Sequence, residues 1–456
     1  MQCVKKSRDM VIDSSIKSLL VFAVPLLISN IFQQLYTVVD SMIVGNYLGK
    51  AELAAVGTTG TISFFGIGIF TGIATGAGVV IGNYYGAGDK KRLEESVHTS
   101  IALGIIGGAI LSVLGVLLAK QVLIWMNTPQ EVLPYATTYQ QIYFAGLVFA
   151  VIYNMGTGIL RAEGDSSHPL NYLIITTILN IVLDVAMICV LEMGIAGAAL
   201  ATVISEAVSA VMVMYHLCKL PEPLKVKIKE IRLYKEVVGK VIGMGIPTGI
   251  QTGVIAFSNI IVQSFINQFG VDAVSGCSAF IKIDGFVVLP ITSFGLVAMT
   301  FVSQNIGTGK IDILKNGERR IMAISVGYTI VVSVLLELFA GNLISAFNSD
   351  AGVIEAGCKM LRILAPGYWM LAVTHVFVGL FRGSGKSFMA MMVMLINLVA
   401  LRIVFLAIFV PLIHTLETVL WSYTITWIAS LLCSTFFRIK IPWGKIWKEE
   451  AGKLRI

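Results

Sequence analysis

Gly158-Ile-Leu-Arg161-Ala-Glu-Gly164-Asp165 returns in the second half of the chain as Gly379-Leu-Phe-Arg382-Gly-Ser-Gly385-Lys386. The same offset carries Gly82-Asn-Tyr-Tyr-Gly86-Ala-Gly88-Asp89 onto Ser303-Gln-Asn-Ile-Gly307-Thr-Gly309-Lys310, and Pro25 answers Pro247 one position out of step. The chain of 456 residues is therefore an internal duplication. Such repeats are common among proteins that move solutes by rocking one half against the other.

Around these repeats lie apolar runs at about 17–43, 53–82, 96–119, 133–160, 168–191, 194–218, 238–266, 272–303, 318–340, 353–380, 387–413 and 416–437. Most exceed the roughly 20 residues that cross a bilayer core. Composition agrees: 56% of residues are hydrophobic and 13% charged, with a mean hydropathy of +0.86. Soluble domains carry roughly twice that share of charge. The expected fold is an all-α membrane protein, with twelve transmembrane helices in two six-helix bundles. Six spans per copy is an even number, so the two copies enter the membrane from the same side as a parallel pseudo-twofold repeat. The expected boundaries are a tail at 1–16, a bundle at 17–218, a linker at 219–237, a bundle at 238–437 and a tail at 438–456.

Charge placement sets the orientation. With the N-terminus inside, 27 of the 33 Lys and Arg fall on cytoplasmic segments, while only Lys50, Lys120 and Lys359 fall outside. The positive-inside rule then puts both termini in the cytoplasm of a multi-pass protein of the cell membrane. The net charge of +7 is an orientation signal, and no nucleic acid is expected as a partner. The stretch Lys219 to Lys240, with PEPLKVKIKEIRLYK inside it, reads as a basic linker in preference to an anionic-lipid dock. The six cysteines are scattered singly, which supports neither a disulfide framework nor a zinc site. No cleavable signal peptide is expected, because the chain to Lys17 is polar and the first apolar run is too long. FRGSGKS at 381–387 resembles a phosphate loop but has Leu380 where the first glycine belongs, so it reads as a turn. Gly68, Gly72 and Gly76 recur every fourth residue and permit close helix approach.

Polar groups inside the spans carry the chemistry. Asp40, Asp184 and Thr202 each lie about seven residues from an outer loop, hence at about one depth at 1.5 Å per residue. Asn180 is one turn from Asp184 and shares its face. An ionised carboxylate there costs several kcal/mol, about what must be offset by a proton, a partner or a cation. In the second half the seventh span offers Gln251 and Asn259 but no acid, and the tenth offers His375. Asp284, two residues after Lys282 and so on a different helix face, is free to line a cavity or to pair with Arg402. Glu206 is a similar case, and Glu337 is given no role. No HExxH, nucleophile elbow or facing aspartate pair suggests an enzyme, and no repeated filter motif suggests a channel.

Pro25-LLISNIFQQLYTVV-Asp40-SMIV-Gly45-NYL-Gly49-KAELAAV-Gly57 resembles the multidrug and toxic compound extrusion (MATE) family. So do GNYYGAGD, SQNIGTGK, RAEGDSSHPL followed by Asn180-Ile-Val-Leu-Asp184, Met193-GIAGAALA-Thr202, and Leu401-Arg402-Ile. The resemblance runs from about residue 15 to 437. It implies a secondary antiporter that exports organic, often cationic, drugs or toxic metabolites in exchange for Na+ or H+. A lipid-linked saccharide flippase of the same superfamily is the alternative, and the few intramembrane bases argue against it. The resemblance assigns ion coupling to Asp40, Asn180, Asp184, Thr202, Tyr139 and Asn154, and Asp40 and Asp184 are the expected ligands where the coupling ion is Na+ and not H+. Another branch of the family couples through acids on the seventh and tenth helices, a pattern from which this chain departs, with no acid in the seventh span and His375 offered by the tenth. Gln34, Asp284, Glu206 and Gln251 are expected in the substrate cavity, and Pro25 is the expected hinge. No cofactor is expected, and the expected partners are small organic cations and membrane lipid around a monomer.

Overall fold

A computed structural model of the protein describes residues 15–348 and 350–454. The expected tail at 1–16 lies outside the described residues, apart from its last two. Among the described residues, twelve helices are long and apolar enough to cross a membrane. They are α1 (Ile16–Tyr47), α2 (Lys50–Ala87), α3 (Lys90–Trp125), α4 (Leu133–Ala162), α5 (Ser167–Val190), α6 (Gly194–Lys219), α7 (Lys235–Ile266), α8 (Val271–Thr308), α9 (Ile311–Ser345), α10 (Ala351–Gly383), α11 (Ser387–Ile413) and α12 (Leu416–Lys440). No strand occurs among the described residues. Helices such as α2 and α8, at 38 residues each, run about 57 Å at 1.5 Å per residue, well beyond a ~30 Å hydrocarbon core.

The duplication is written into the backbone. Positive φ angles recur at Gly49 and Gly270, at Gly88 and Gly309, and at Gly164 and Gly385, each pair at the offset of the sequence repeat. Each closes or follows a helix in a conformation that costs other L-residues energy. The Gly385 turn is the false phosphate loop, and its partner turn at Gly164 has no lysine. Helix contacts repeat as well. A Cβ on Gly158 of α4 would stand 2.9 Å from the Ala74 carbonyl oxygen of α2, and one on Gly379 of α10 would stand 2.1 Å from the Gly295 oxygen of α8. The expected glycine stripe on α2 is used in the same way: Cβ atoms on Gly72 and Gly76 would meet the Gly249 and Gly245 nitrogens of α7 at 2.3 and 2.6 Å.

Contacts gather the chain into two compact units, Val24–Gly249 and Met1–Ala23 with Ile250–Ile456. The division at 17–218 and 238–437 expected from the sequence differs in how α1 and α7 are shared. Both helices change unit within two residues of a proline, Pro25 in α1 and Pro247 in α7. In the first unit, α4 packs against α2, α3 and α6, and the fully buried Gln140 donates to Ser63 Oγ on α2 at 3.3 Å. In the second, α8 and α10 form the centre with buried Phe280, Phe301, Tyr368 and Phe381. Large apolar side chains such as Ile178 on α5, Leu117 on α3 and Leu338 on α9 are exposed. Lipid, which exacts no hydrophobic penalty, is the solvent that suits them.

α5 and α11 each contain a π-helical turn, Val185–Val190 and Ile396–Leu401. The first directly follows Asp184 and the second directly precedes Arg402. Such turns often mark functional positions, because the extra residue re-aims the side chains beside it.

Two segments expected as connector and tail are docked. In the linker, Lys227 Nζ meets Glu94 at 2.8 Å, Glu222 at 3.2 Å and Glu230 at 3.7 Å. These carboxylates hold its ammonium well above the ordinary lysine range, Glu94 first. The Lys227 N–H donates to His98 Nε2 at 2.9 Å, and that of Tyr234 to Thr99 Oγ1 at 3.2 Å. Lys227 is thus committed inside its own unit. In place of a plain tail after 438, Trp443–Leu454 forms helix α13. Trp443 stacks on Phe381 at 4.9 Å, Trp447 Nε1 donates to Ser384 Oγ at 2.9 Å, and Arg438 grips Glu318 in two hydrogen bonds of 2.6 and 2.7 Å. The alternation of buried Trp443, Trp447 and Ala451 with charged residues explains the docking.

The close contact at Gly379 yields a test. Gly379→Ala forces the α8 and α10 backbones apart and should cost about 1–3 kcal/mol, as overpacking typically does. Gly327, where an added Cβ would meet nothing within 4 Å, should accept alanine without loss. Thermal unfolding midpoints of the two purified variants check this, and equal midpoints would contradict the packing argument.

Candidate functional site

Four helices of the first unit each present two polar residues one turn apart. They are Tyr36 and Asp40 on α1, Tyr139 and Tyr143 on α4, Asn180 and Asp184 on α5, and Thr202 and Glu206 on α6. Residues at i and i+4 share a helix face, and side-chain contacts bring these four faces together. Asp40 (6% exposed), Asn180 (0%), Asp184 (0%) and Thr202 (5%) are all buried. Tyr36 donates to Thr202 Oγ1 at 3.3 Å, and Thr202 donates to the Ala198 carbonyl of its own helix at 3.2 Å. Tyr143 donates to Glu206 Oε1 at 3.4 Å, and its ring stacks on Tyr139 at 6.3 Å.

The Asp40 and Asp184 carboxyls are direct neighbours. Among the described residues, neither Asp184 oxygen, nor Asp40 Oδ1, nor Glu206 Oε2 meets a hydrogen-bond donor, and both polar atoms of the Asn180 amide are likewise without partners. None of the salt bridges among the described residues involves these acids. Two adjacent buried carboxylates with no donor and no basic side chain beside them cannot both stay ionised at tolerable cost. The space calls for a proton on the pair or a cation among its oxygens. Asp40, Asp184, the Asn180 carbonyl and the Thr202 hydroxyl supply the all-oxygen set that a hard cation takes.

Of the six expected coupling residues, five meet here and one does not. Asn154 lies well beyond Tyr139 on α4, about 22 Å along the axis, and donates to its own helix at Ala150 O, 2.8 Å away. Glu206, expected in the substrate cavity, lies one turn beyond Thr202 on α6 and accepts from the Tyr143 hydroxyl. Tyr36 and Tyr143 were not singled out from the sequence. Their signal was their spacing, one helical turn before Asp40 and one after Tyr139. Gln34 is half-buried near Tyr36 on α1.

The second unit does not repeat this chemistry. At the repeat offset, Asp40, Tyr139, Asn180 and Asp184 correspond to Ile261, Met360, Leu401 and Phe405. Gln251 is taken up by Arg382, whose Nη2 donates to its Oε1 at 2.7 Å. Asp284 is not paired with Arg402, as one expectation had it, but accepts from the Tyr368 hydroxyl at 2.5 Å. Arg402 donates to Asn259 Oδ1 at 3.3 Å and Thr426 Oγ1 at 3.2 Å, and lies over the Tyr423 ring at 4.3 Å. An aromatic row of Tyr368, Trp427 and Tyr423 runs on from this second acid, with ring centroids 5.5 and 6.3 Å apart along it. An aromatic face attracts a guanidinium through its quadrupole, which helps to satisfy Arg402 without an acid.

Twelve spanning helices, a duplicated frame and a buried carboxylate pair define an integral membrane protein of the transporter class. Comparison with known proteins gives the family. The MatE family model matches residues 25–186 and again 247–408, and the chain belongs to this family of multidrug and toxic compound extrusion transporters. Among curated relatives, Probable multidrug resistance protein YoeA of Bacillus subtilis is 31% identical over 379 residues, covering 81% of each chain. A solved structure described as a MATE in the bent conformation superposes with a TM-score of 0.88 at 22% identity, covering 99% of both chains. Another, described as a MATE in the straight conformation, has a TM-score of 0.87 at 22% identity and covers 98% of this chain and 99% of that one. The two matched segments of the family model begin at the two equivalent prolines, Pro25 and Pro247.

Proposed function

We propose that the chain is a secondary antiporter of the cell membrane that exports organic cations, drugs or toxic metabolites among them, in exchange for Na+ or H+. The observation that carries this reading is the Asp40–Asp184 pair, buried together with no basic partner among the described residues. A pair that must hold a proton or a cation is stable in two states of equal net charge, one carrying the coupling ion and one carrying a cationic substrate in its place. That is the minimal requirement for exchange. The reading needs no cofactor. It takes the protein as a monomer with both termini in the cytoplasm, following the Lys and Arg count of its loops.

The first bundle holds the coupling residues Asp40, Asn180, Asp184, Thr202 and Tyr139, with Tyr36, Tyr143 and Glu206 added. Gln34, Asp284 and its aromatic row are assigned to the substrate path. Rows of Tyr and Trp beside an acid suit an organic cation, which gains both Coulombic and cation–π attraction there.

Uptake of a fluorescent organic cation by inside-out vesicles tests this. Wild-type protein should accumulate the dye only under an imposed Na+ or H+ gradient. Asp184→Asn, which keeps shape and removes the charge, should reduce this to background at normal expression. Asp40→Asn should do the same, and the double variant should be no worse than either, because residues acting as one unit are non-additive. Gradient-driven uptake that survives Asp184→Asn sinks the reading.

Pro25 is the proposed hinge. It withholds one backbone hydrogen bond from α1, leaving the Val21 carbonyl without its helical partner, and the grouping of α1 changes unit beside it. Similar structures described as bent and straight support a bend that moves Asp40 relative to Asp184. Pro25→Ala restores the hydrogen bond and should slow turnover more than it weakens equilibrium binding of the dye. If affinity and turnover both match wild type, the proline is scaffolding and coupling runs through another element.

A further inference from the structure

Three side chains outside the coupling cluster meet at the end of the first unit where the basic loops lie. Asp165 stands in the turn after α4, His168 in the first turn of α5, and His216 in the last turn of α6. The two histidines are separated in the chain by almost the whole of α5 and α6, which is why no metal motif is visible there. In the fold, one ligand atom from each of the three residues lies within 4.8 Å of the others. The imidazole centroids are 4.2 Å apart at 60°.

Each group is already oriented. Asp165 Oδ1 accepts the backbone N–H groups of Ser167 at 3.0 Å and His168 at 3.2 Å, which fixes the carboxylate at the start of α5. Its Oδ2 faces His168 Nδ1 at 2.5 Å. On the other side, the Tyr172 hydroxyl bonds His216 Nδ1 at 2.7 Å and leaves Nε2 as that residue's ligand atom. An outer partner of this kind is how metal-binding imidazoles are held in one tautomer and one orientation. All three ligand residues are half-buried, reachable from water yet shielded from most of it. A plain helix cap would use Asp165 Oδ1 alone and would give no task to Oδ2 or to the two imidazoles.

We propose that Asp165, His168 and His216 bind a divalent transition-metal ion of the zinc class, joining the start of α5 to the end of α6. Two imidazole nitrogens and one carboxylate oxygen suit Zn2+ and its borderline neighbours, and leave a fourth position for water. The metal takes the place of the hydrogen between Asp165 Oδ2 and His168 Nδ1, and the neutral imidazole carries its hydrogen on Nε2 instead. Oδ2 and Nδ1 open from 2.5 Å to roughly 3.3 Å, the separation that bonds of about 2.0–2.1 Å impose in a tetrahedron. The two helices so joined carry Asn180 and Asp184 on one and Thr202 and Glu206 on the other. Metal binding itself does not depend on the antiport reading and is tested without transport.

The experiment titrates the purified, metal-stripped full chain with Zn2+ by calorimetry and with Co2+ by visible absorption. One saturable Zn2+ site per chain is expected, with a Co2+ ligand-field band that Zn2+ abolishes and a thermal midpoint that rises with Zn2+. His216→Ala should remove all three signals. Tyr172→Phe should weaken Zn2+ by about 10- to 100-fold, the usual cost of losing an outer partner. A simple capping network would show no such effect. His414→Ala, in the other unit, should leave binding unchanged. Absence of a saturable heat and of a Co2+ band in the wild-type protein overturns the proposal, and so does Zn2+ affinity that survives both His216→Ala and His168→Gln. Should either histidine variant fail to fold, the wild-type Co2+ spectrum and the Tyr172→Phe affinity decide alone.

Discussion

Two carboxyl groups, Asp40 and Asp184, stand beside one another in a space where the described residues offer Asp184 neither a hydrogen-bond donor nor a basic side chain. In a low-dielectric interior this arrangement is tolerable only when the pair carries a proton or a cation. Folding alone gives no reason to keep it, since an apolar or amide pair of the same shape would be easier to bury. The rest of the first unit reads as a device for maintaining that condition. α4 lines the space with stacked Tyr139 and Tyr143, α6 adds Thr202 and Glu206, and the π-turn beginning directly after Asp184 re-aims the end of α5.

The duplicated frame and the unduplicated site answer different demands. Close glycine contacts and turn glycines recur at one offset, with the prolines one position out of step, because both halves must pack six helices in the same topology. Coupling needs only one exchangeable charge site, and the second copy carries Ile261, Leu401 and Phe405 where the first has polar residues. Two of its own ionisable groups find other partners, Asp284 in the Tyr368 hydroxyl and Arg402 in an amide, a hydroxyl and the Tyr423 ring. Symmetry of scaffold with asymmetry of charge is consistent with one half exchanging the ion and the other serving the substrate.

Much of this was legible in the sequence, for identifiable reasons. Apolar run length gives the twelve spans, because a bilayer imposes a minimum length on each. The constant repeat offset gives the two copies, because turn glycines at positive φ cannot be substituted freely. Asp40, Asp184, Asn180 and Thr202 were visible from their depth and shared faces. What stayed hidden depended on rotation about helix axes and on contacts between distant segments. Asn154 matched a polar position yet lies about four turns from the cluster, whereas Tyr36 and Tyr143 needed the packed arrangement to be seen. Of the two roles open to Asp284, pairing with Arg402 is not the one realised, because an amide, a hydroxyl and an aromatic ring stand in for an acid at Arg402. Docking of the Trp443–Leu454 helix and the meeting of His168 with His216 are tertiary facts with no local signature.

The central claim is that the Asp40–Asp184 pair holds a proton or a cation at rest and gives it up when an organic cation binds. Infrared difference spectroscopy of the purified protein in a lightly buffered medium, recorded on adding a non-absorbing organic cation with and without Na+, tests it directly. The account predicts loss of a protonated-carboxyl C=O band, or in Na+ medium a carboxylate shift that reports displaced Na+. Either signal should be absent from Asp40→Asn and Asp184→Asn. A substrate-induced spectrum with no carboxyl or carboxylate change, or one identical in wild type and both variants, would contradict the account.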